Sequence, residues 1–436
     1  MGQGTLMARA LYFVSDLHFG GDGELRHCDF ANEFIVFLKE LATKGEDAEL
    51  IIAGDTFGFW ELTTVDGPAR LDRIIADHQA IFDQLRLTGE RVAITLMVGN
   101  HDYDLACDPA FAPKLAAYNI RLDTAVSLSR ELGGRKVWIE HGQQSDPFNA
   151  SPDYGNRYAL PVGYFITETV VAGSSRLSEF GRGNWLKDIR SVATEQIPDW
   201  ILSNYFYREM AFVIRAVLAV FLFLLVITLA ALVGEVLRRA GIFDVNLLLD
   251  NTLMRSLGFV GNILAWVIIV NMLILFFMLV AAIPGWFVLH DIKNTLRRFQ
   301  ITGGSVSSVA VQSNQPYLDR ARAVFAEHPE AAVYLFGHTH DAFLEREPDG
   351  RVVANLGTWL KILHRVPVRF GYMPAVYYPT FRLNYFRIHA EDRRIIVSYV
   401  EVAKKPEREL TWLQRLVTFG KRAPPPRAIP ATTVID

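Results

Sequence analysis

The chain has 436 residues, 51% of them hydrophobic, and a formal net charge of −3. That length can bury a substantial core in one large domain or two ordinary ones. The near-neutral balance gives no basic field, so nucleic acid is not an expected partner. Two cysteines, Cys28 and Cys107, argue against a disulfide-stapled secreted scaffold. The opening MGQGTLMARA has no apolar core after a basic end, so no signal peptide is read there.

Short apolar runs at Leu11–Val14, Leu50–Ala53, Val92–Val98 and Val137–Ile139 read as buried strands. Helical stripes lie between the first of them. Asp29–Thr43 carries Phe30, Phe34, Phe37, Leu38 and Leu41 on one face, and Leu71–Leu87 carries Ile74, Ile75, Ile81, Phe82 and Leu85. This alternation implies a layered α/β domain.

Next comes a block of a different kind. Ala216–Val233 is 18 residues without a charge and Ser256–Leu289 is 34. The first would span roughly 27 Å as a helix, close to the ~30 Å hydrocarbon thickness of a bilayer. Two transmembrane helices are expected, about 211–233 and 259–283, the second stopping near Pro284–Gly285. Asn262 and Asn271 are expected to face somewhere protected.

Strands resume at Ala332–Phe336 and Val352–Ala354, and Asn384–His389 with Arg394–Val400 reads as a hairpin. Leu410–Phe419 has apolar residues at helical spacing among Arg408, Arg415, Lys421 and Arg422, a pattern suited to an interfacial helix or to packing on the domain. Ala423–Asp436, with Pro424–Pro426, reads as a disordered tail.

Five segments follow apolar runs directly: Asp16-Leu-His18, Gly54-Asp55, Gly99-Asn100-His101-Asp102, Glu140-His141-Gly142 and Gly337-His338-Thr339-His340. Strand ends are where an α/β sheet gathers ligands. Continued strand geometry would turn both members of Asp16/His18 and of His338/His340 the same way. Imidazole and carboxylate donors without cysteine suit manganese, iron or zinc in a reactive site. Five of the eleven histidines fall in these segments, which concentrates the ligands there.

The five segments resemble the pattern D-x-H, G-D, G-N-H-[DE], H and G-H-x-H of the calcineurin-like metallophosphoesterase superfamily. The resemblance implies an α/β fold, an αββα sandwich, here with an inserted two-helix transmembrane hairpin. It implies two divalent cations, manganese expected first with iron or zinc as alternatives. Asp16, His18, Asp55 and His340 would hold one and Asp55, Asn100, His141 and His338 the other, with Asp55 bridging. His101 would protonate the leaving oxygen or steady the transition-state charge, and Asp102 would orient it. Two cations lower the pKa of water enough to supply hydroxide near neutral pH and clamp the phosphoryl oxygens.

The motifs are about evenly spaced up to His141, and the next waits until Gly337. The apolar pair fills that gap. The expected organisation is therefore a first catalytic part at 10–165, an insertion at 166–310, a second catalytic part at 311–402, and an amphipathic segment with tail at 403–436. Both catalytic parts must share one side of a membrane, which needs an even number of spans. Arg208, Arg215, Lys293, Arg297 and Arg298 outside the spans outnumber Arg238, Arg239 and Arg255 between them, favouring a cytoplasmic catalytic domain on an inner or plasma membrane.

In Gln143–Tyr164, Asn149, Arg157 and Tyr158 are candidate substrate contacts, Arg157 first because a guanidinium pairs well with phosphate. An insertion that enters the bilayer points to a lipid-linked phosphate or pyrophosphate ester. The UDP-2,3-diacylglucosamine pyrophosphohydrolases are distantly similar, with helices over the metals at the corresponding point, although His101 stands where they usually have Arg. The alternatives are a hydrolase of a soluble nucleotide or phosphoprotein, with the hairpin only an anchor, and a non-catalytic membrane scaffold.

Overall fold

The computed structural model describes residues 10–174, 186, 188–192, 196–242, 255–298, 314–368, 373–391, 394–404, 410–421 and 425–436. They divide into two compact units, Met1–Glu209 with Gln312–Asp436, and Met210–Val311. Arg408 and Arg422, and the side chains of Lys293, Arg297 and Arg298, lie outside the described residues.

In the first unit the strands are β1 (Ala10–Val14), β2 (Ala48–Ala53), β3 (Ala93–Met97), β4 (Ile120–Asp123), β5 (Ser127–Leu132), β6 (Arg135–Glu140), β7 (Ala331–Phe336), β8 (Phe343–Arg346), β9 (Val352–Asn355), β10 (Ile362–Val366), β11 (Val376–Thr380), β12 (Asn384–Glu391), β13 (Arg394–Glu401) and β14 (Thr432–Ile435). Seven form one sheet in the order β14-β13-β12-β1-β2-β3-β4, five form a second in the order β5-β6-β7-β9-β8, and β10 pairs β11. The helices are α1 (Ala31–Ala42), α2 (Ala69–Asp77), α3 (Gln79–Gly89), α4 (Asp104–Cys107), α5 (Phe111–Ala116), α6 (Val162–Ile166) and α7 (Ile197–Asn204).

Alternation along the strands builds the layers. Leu11, Phe13, Ile51 and Ala53 of the large sheet meet Val137, Ile139, Val333 and Leu335 of the smaller one in a core between the sheets. The opposite faces, Tyr12, Val14, Leu50 and Ile52, take the Phe34, Phe37, Leu38 stripe of α1 and Ile81, Phe82 and Leu85 of α3. A further helix, Gln315–Glu327, covers the outer face of the smaller sheet through Tyr317, Leu318 and Val324. Each fully buried Phe or Leu in these layers contributes about 1.5–3 kcal/mol. The result is the αββα sandwich.

The run Leu71–Leu87 is two helices rather than one. At His78 the backbone leaves the helical region (φ −125°, ψ 33°), and the imidazole turns inward against Phe19. Burial lowers that imidazole to about 4, so it sits there neutral.

The second unit holds α8 (Phe212–Arg239) and α9 (Phe259–Arg298), both long and apolar enough to cross a membrane. They bury one seam, containing Thr228 and Ala231 of α8 with Ile268 and Asn271 of α9. Asn262, expected to be protected, is exposed, because it points away from that seam. The expected stop at Pro284 does not occur. Proline removes a single donor, and the apolar residues on both sides carry α9 through it to Arg298.

Back in the first unit, α10 spans Gln315–Glu327 and α11 spans Trp412–Val417. The tail expected to be unstructured ends in β14, paired antiparallel with β13 from Ser398↔Thr432 to Ile395↔Ile435. The β-branched Thr432–Ile435 run finds a free sheet edge, and Ile435 is buried in the core between the sheets. The prolines before it masked this signal.

One polar clasp crosses the two sheets. Glu49 of β2 accepts two charge-assisted bonds from Arg130 of β5, at 2.8 and 2.7 Å, and a third at 2.7 Å from Thr95 Oγ1 of β3. Glu49→Ala leaves the Arg130 guanidinium without its partner and should cost about 3 kcal/mol of stability, read as a lower urea midpoint. Adding Arg130→Met to it should recover most of that loss; an unshifted midpoint in the single variant contradicts the clasp.

Candidate metal centre

The strands β1, β2, β3, β6 and β7 end at Val14, Ala53, Met97, Glu140 and Phe336, and every expected ligand follows within four residues. The side chains converge by left-handed turns, not by continued strand geometry. Seven non-glycine residues among those described have positive φ, and five of them are Asp16 (56°), His18 (48°), Asp55 (48°), His338 (69°) and His340 (60°). The loops also lock to one another. His18 N–H donates to Asp55 O at 2.9 Å, and Gly337 N–H donates to His141 O at 2.9 Å. A Cβ on Gly99 would collide with the Asp55 carboxylate, and one on Gly337 with Ser15 and Asp16.

Each central carboxylate has one oxygen occupied and one presented. Asp55 Oδ1 accepts His101 N–H at 2.7 Å, and its Oδ2 lies 3.7 Å from His18 Nε2 and 3.2 Å from His141 Nε2. Asp16 Oδ2 accepts His338 N–H at 3.0 Å, while Oδ1 accepts no hydrogen bond and lies 3.2 Å from His340 Nε2. Asn100 Oδ1 stands 3.2 Å from His141 Nε2 and 2.9 Å from His338 Nδ1. Three groups thus have ligand atoms within 4.8 Å of one another: Asp16/His18/His340, His18/Asp55/His101 and Asp55/His141/His338.

Residues 10–204 match the family model described as calcineurin-like phosphoesterase. Those residues form a calcineurin-like phosphoesterase domain. No curated protein matches the sequence significantly. Among solved structures, a predicted phosphoesterase from Streptococcus pneumoniae TIGR4 is 11% identical, covering 92% of this chain and 94% of its own, with a TM-score of 0.27. A dimetal phosphatase from Danio rerio is 9% identical, covering 91% and 98%, with a TM-score of 0.33. Likenesses this low add nothing to the assignment, which rests on the family match and on the residues. The protein is a hydrolase of phosphoester bonds.

The donors of the phosphoesterase domain fit divalent cations. The buried Asp16 Oδ1 has no hydrogen-bond partner, an arrangement that is costly unless positive charge meets it. Burial holds His18 below its usual value, which keeps the imidazole neutral as a ligand must be. Burial would raise Asp16, yet His18 and His340 hold it well below the usual carboxylate range. Burial would lower His141 as well, but Asp55 pulls it up to about 10, so it would surrender its proton when a cation takes that place.

Asp102 is placed differently from expectation, and His101 has another partner. Asp102 does not orient the His101 ring. Its carboxylate accepts backbone N–H groups of Gly99 at 2.6 Å, Thr56 at 2.7 Å and Phe57 at 3.2 Å, which fastens the Asn100 turn to the Asp55 loop. The residue on the ring is Glu61, buried, with Oε1 3.0 Å from His101 Nδ1. Against burial, which lowers it, Glu61 and Asp55 raise His101 to about 9. Trp60 packs on the same ring, 4.5 Å between centroids.

Two further residues of the segment after His141 hold the centre. Asp146 Oδ2 lies 3.0 Å from His338 Nε2, and Asn149 Nδ2 donates to that oxygen at 2.7 Å. Asn149 is thus placed behind a ligand rather than toward substrate. Arg190 donates to the carbonyls of His18 (3.1 Å), Gly20 (3.3 Å), Leu25 (2.6 Å) and His27 (2.7 Å), holding the loop that carries His18. Arg157 and Tyr158 stack on each other, 5.5 Å apart with Tyr158 83% exposed, and no described contact joins either to a ligand.

Neither Glu61 nor Arg190 stands in a motif. The Phe59-Trp60-Glu61 run downstream of Asp55 was the available signal for the first, and none existed for the second. Glu61→Gln in the phosphoesterase domain should leave metal content unchanged and lower kcat about 10–100-fold, as loss of an orienting partner does. Wild-type turnover, or lost metal, would contradict its place on His101.

Proposed function

We propose that the protein is a membrane-anchored, two-metal hydrolase of a lipid-linked phosphate or pyrophosphate ester. The observation that carries the chemistry is the sharing of Asp55 and His18 between neighbouring ligand groups, which suits two adjacent cations with a carboxylate between them. Asp16, His18, Asp55 and His340 would hold one, and Asp55, Asn100, His141 and His338 the other, manganese first among the metals given oxygen and imidazole donors without sulfur. When bound, two such cations supply an activated water and neutralise charge on the phosphoryl group.

The chain's own part follows from exposure. The ligand side chains Asp16, His18, Asp55 and His141 are at most 3% exposed, whereas His101 is 19% and His340 31%, so substrate arrives over these two rings. His101, held by Glu61, lies on that open side, where a protonated imidazole can give its proton to the leaving oxygen.

The lipid assignment rests on the hairpin between His141 and His338. Two spans return the chain to the side it left, which lets one catalytic centre draw ligands from both parts. The excess of Arg and Lys outside the spans favours the cytoplasmic face of an inner or plasma membrane.

His101→Ala should keep two metals per chain and lose about 10²–10⁴-fold in kcat on an aryl phosphodiester; unchanged kcat would remove it from the proton-transfer role. With manganese in detergent, full-length protein should hydrolyse a lipid pyrophosphate faster than the same head group without acyl chains. Equal rates on the two would refute the lipid substrate and leave the phosphoesterase standing.

A further inference from the structure

The short helix α11 carries a surface that neither catalysis nor packing uses. A capping box starts it: Thr411 Oγ1 accepts Gln414 N–H at 3.2 Å, and Gln414 Oε1 accepts Thr411 N–H at 2.8 Å. Gly420, at φ 71°, closes the turn that follows. The inward side is well defined, since Gln414 and Val417 are buried and Val417 packs with Tyr207 and Val376. One turn away, on the outward side, Trp412 is 66% exposed and Leu416 59%. From Leu410 to Ile435 the sequence has no acidic residue and four basic ones, Arg415, Lys421, Arg422 and Arg427. Tryptophan and leucine outward, with Arg415 and Lys421 on the same short stretch, match an anionic lipid surface.

Continuity supports that occupant over a second copy of the chain. Tyr207, on which α11 packs, belongs to the segment that leads the chain into α8, only five residues later at Phe212. Leu202 and Tyr205 on the same approach are also exposed. Five residues of chain reach at most about 18 Å, so that segment and the helix packed on it stay close in chain terms to where a span would meet the headgroups. We infer that α11 is an interfacial anchor, with Trp412 and Leu416 set among the lipids and Arg415 and Lys421 at the phosphates. This holds the catalytic domain against the bilayer by a contact separate from the hairpin, and it rests on the reading of α8 and α9 as membrane spans.

The test uses the full chain in vesicles of phosphatidylcholine with phosphatidylglycerol. Cys28→Ala and Cys107→Ala give a background for an environment-sensitive label on Leu416→Cys, or, separately, on Ile227→Cys of the hairpin. A blue-shifted label at 416, quenched by lipids carrying a nitroxide near the headgroup, is the expected result, and the label at 227 is read with lipids carrying the nitroxide deep in the acyl chain. In the unlabelled native chain, amide exchange over 410–421 should be slower in these vesicles than in pure phosphatidylcholine. Quenching at 227 with none at 416 overturns the anchor and leaves the hairpin in the membrane. No quenching at either position overturns both. Protection at 416 that tracks protein concentration, and not the nitroxide, assigns the face to a second copy and likewise overturns the lipid contact.

Discussion

Asp55 must be kept charged although it is only 1% exposed. A carboxylate removed from water is stable only among donors and positive charge. The fold meets that condition with a backbone N–H from His101 on one oxygen and with imidazoles of His18 and His141 facing the other. Other features of the centre serve the rings instead, Glu61 holding His101 and Asp146 holding His338. The histidines arrive from β1, β6 and β7 because no single element could surround Asp55 from both sides.

Bringing them together strains the backbone. Five ligand residues sit at positive φ, a conformation that costs roughly 1–2 kcal/mol for each residue with a Cβ. Such strain persists only where the surroundings over-determine it. Here the parallel pairings of β1 with β2, β2 with β3 and β6 with β7 fix the strand ends, and loop-to-loop bonds such as Asp16 N to Gly54 O fix the turns. The hydrophobic layers therefore do more than stabilise the domain. They hold the left-handed turns that aim the ligands.

Much of this was legible in the sequence, and the failures have physical causes. Apolar runs marked β1, β2, β3, β6, β7 and β9, and a strand buried on both faces, as β2 and β7 are, has no polar alternation to confuse it. The seven candidate ligand positions could be read because their motifs lie directly after those runs. The partners Glu61, Asp146 and Arg190 were not, since a residue that holds a ligand from behind needs no fixed spacing from it. Asp102 was misassigned for a related reason: adjacency to His101 in sequence suggested contact with its ring, but the tight turn aims the carboxylate at backbone N–H groups instead. The break at His78 and the strand at Thr432–Ile435 depend on tertiary partners, Phe19 for one and the edge of β13 for the other.

The position of the insertion explains why its first residues belong to the centre. Strands β6 and β7 are parallel neighbours, so the chain leaves β6 at the end where His141 stands and must enter β7 from the opposite end. Closing a longer connection between them adds little entropy, because that term grows only with the logarithm of length. The connection can therefore hold two helices without disturbing the pairing, and the His141 and His338 rings stay 5.4 Å apart. What leaves from the metal end also has to run past it. Asp146, four residues beyond Gly142, reaches back to His338, and Arg190, further along, clasps the loop of His18. The segment that leads toward the hairpin is thus part of the support of both ligand groups, and a displacement of it would be felt at His18 and His338 before any other ligand.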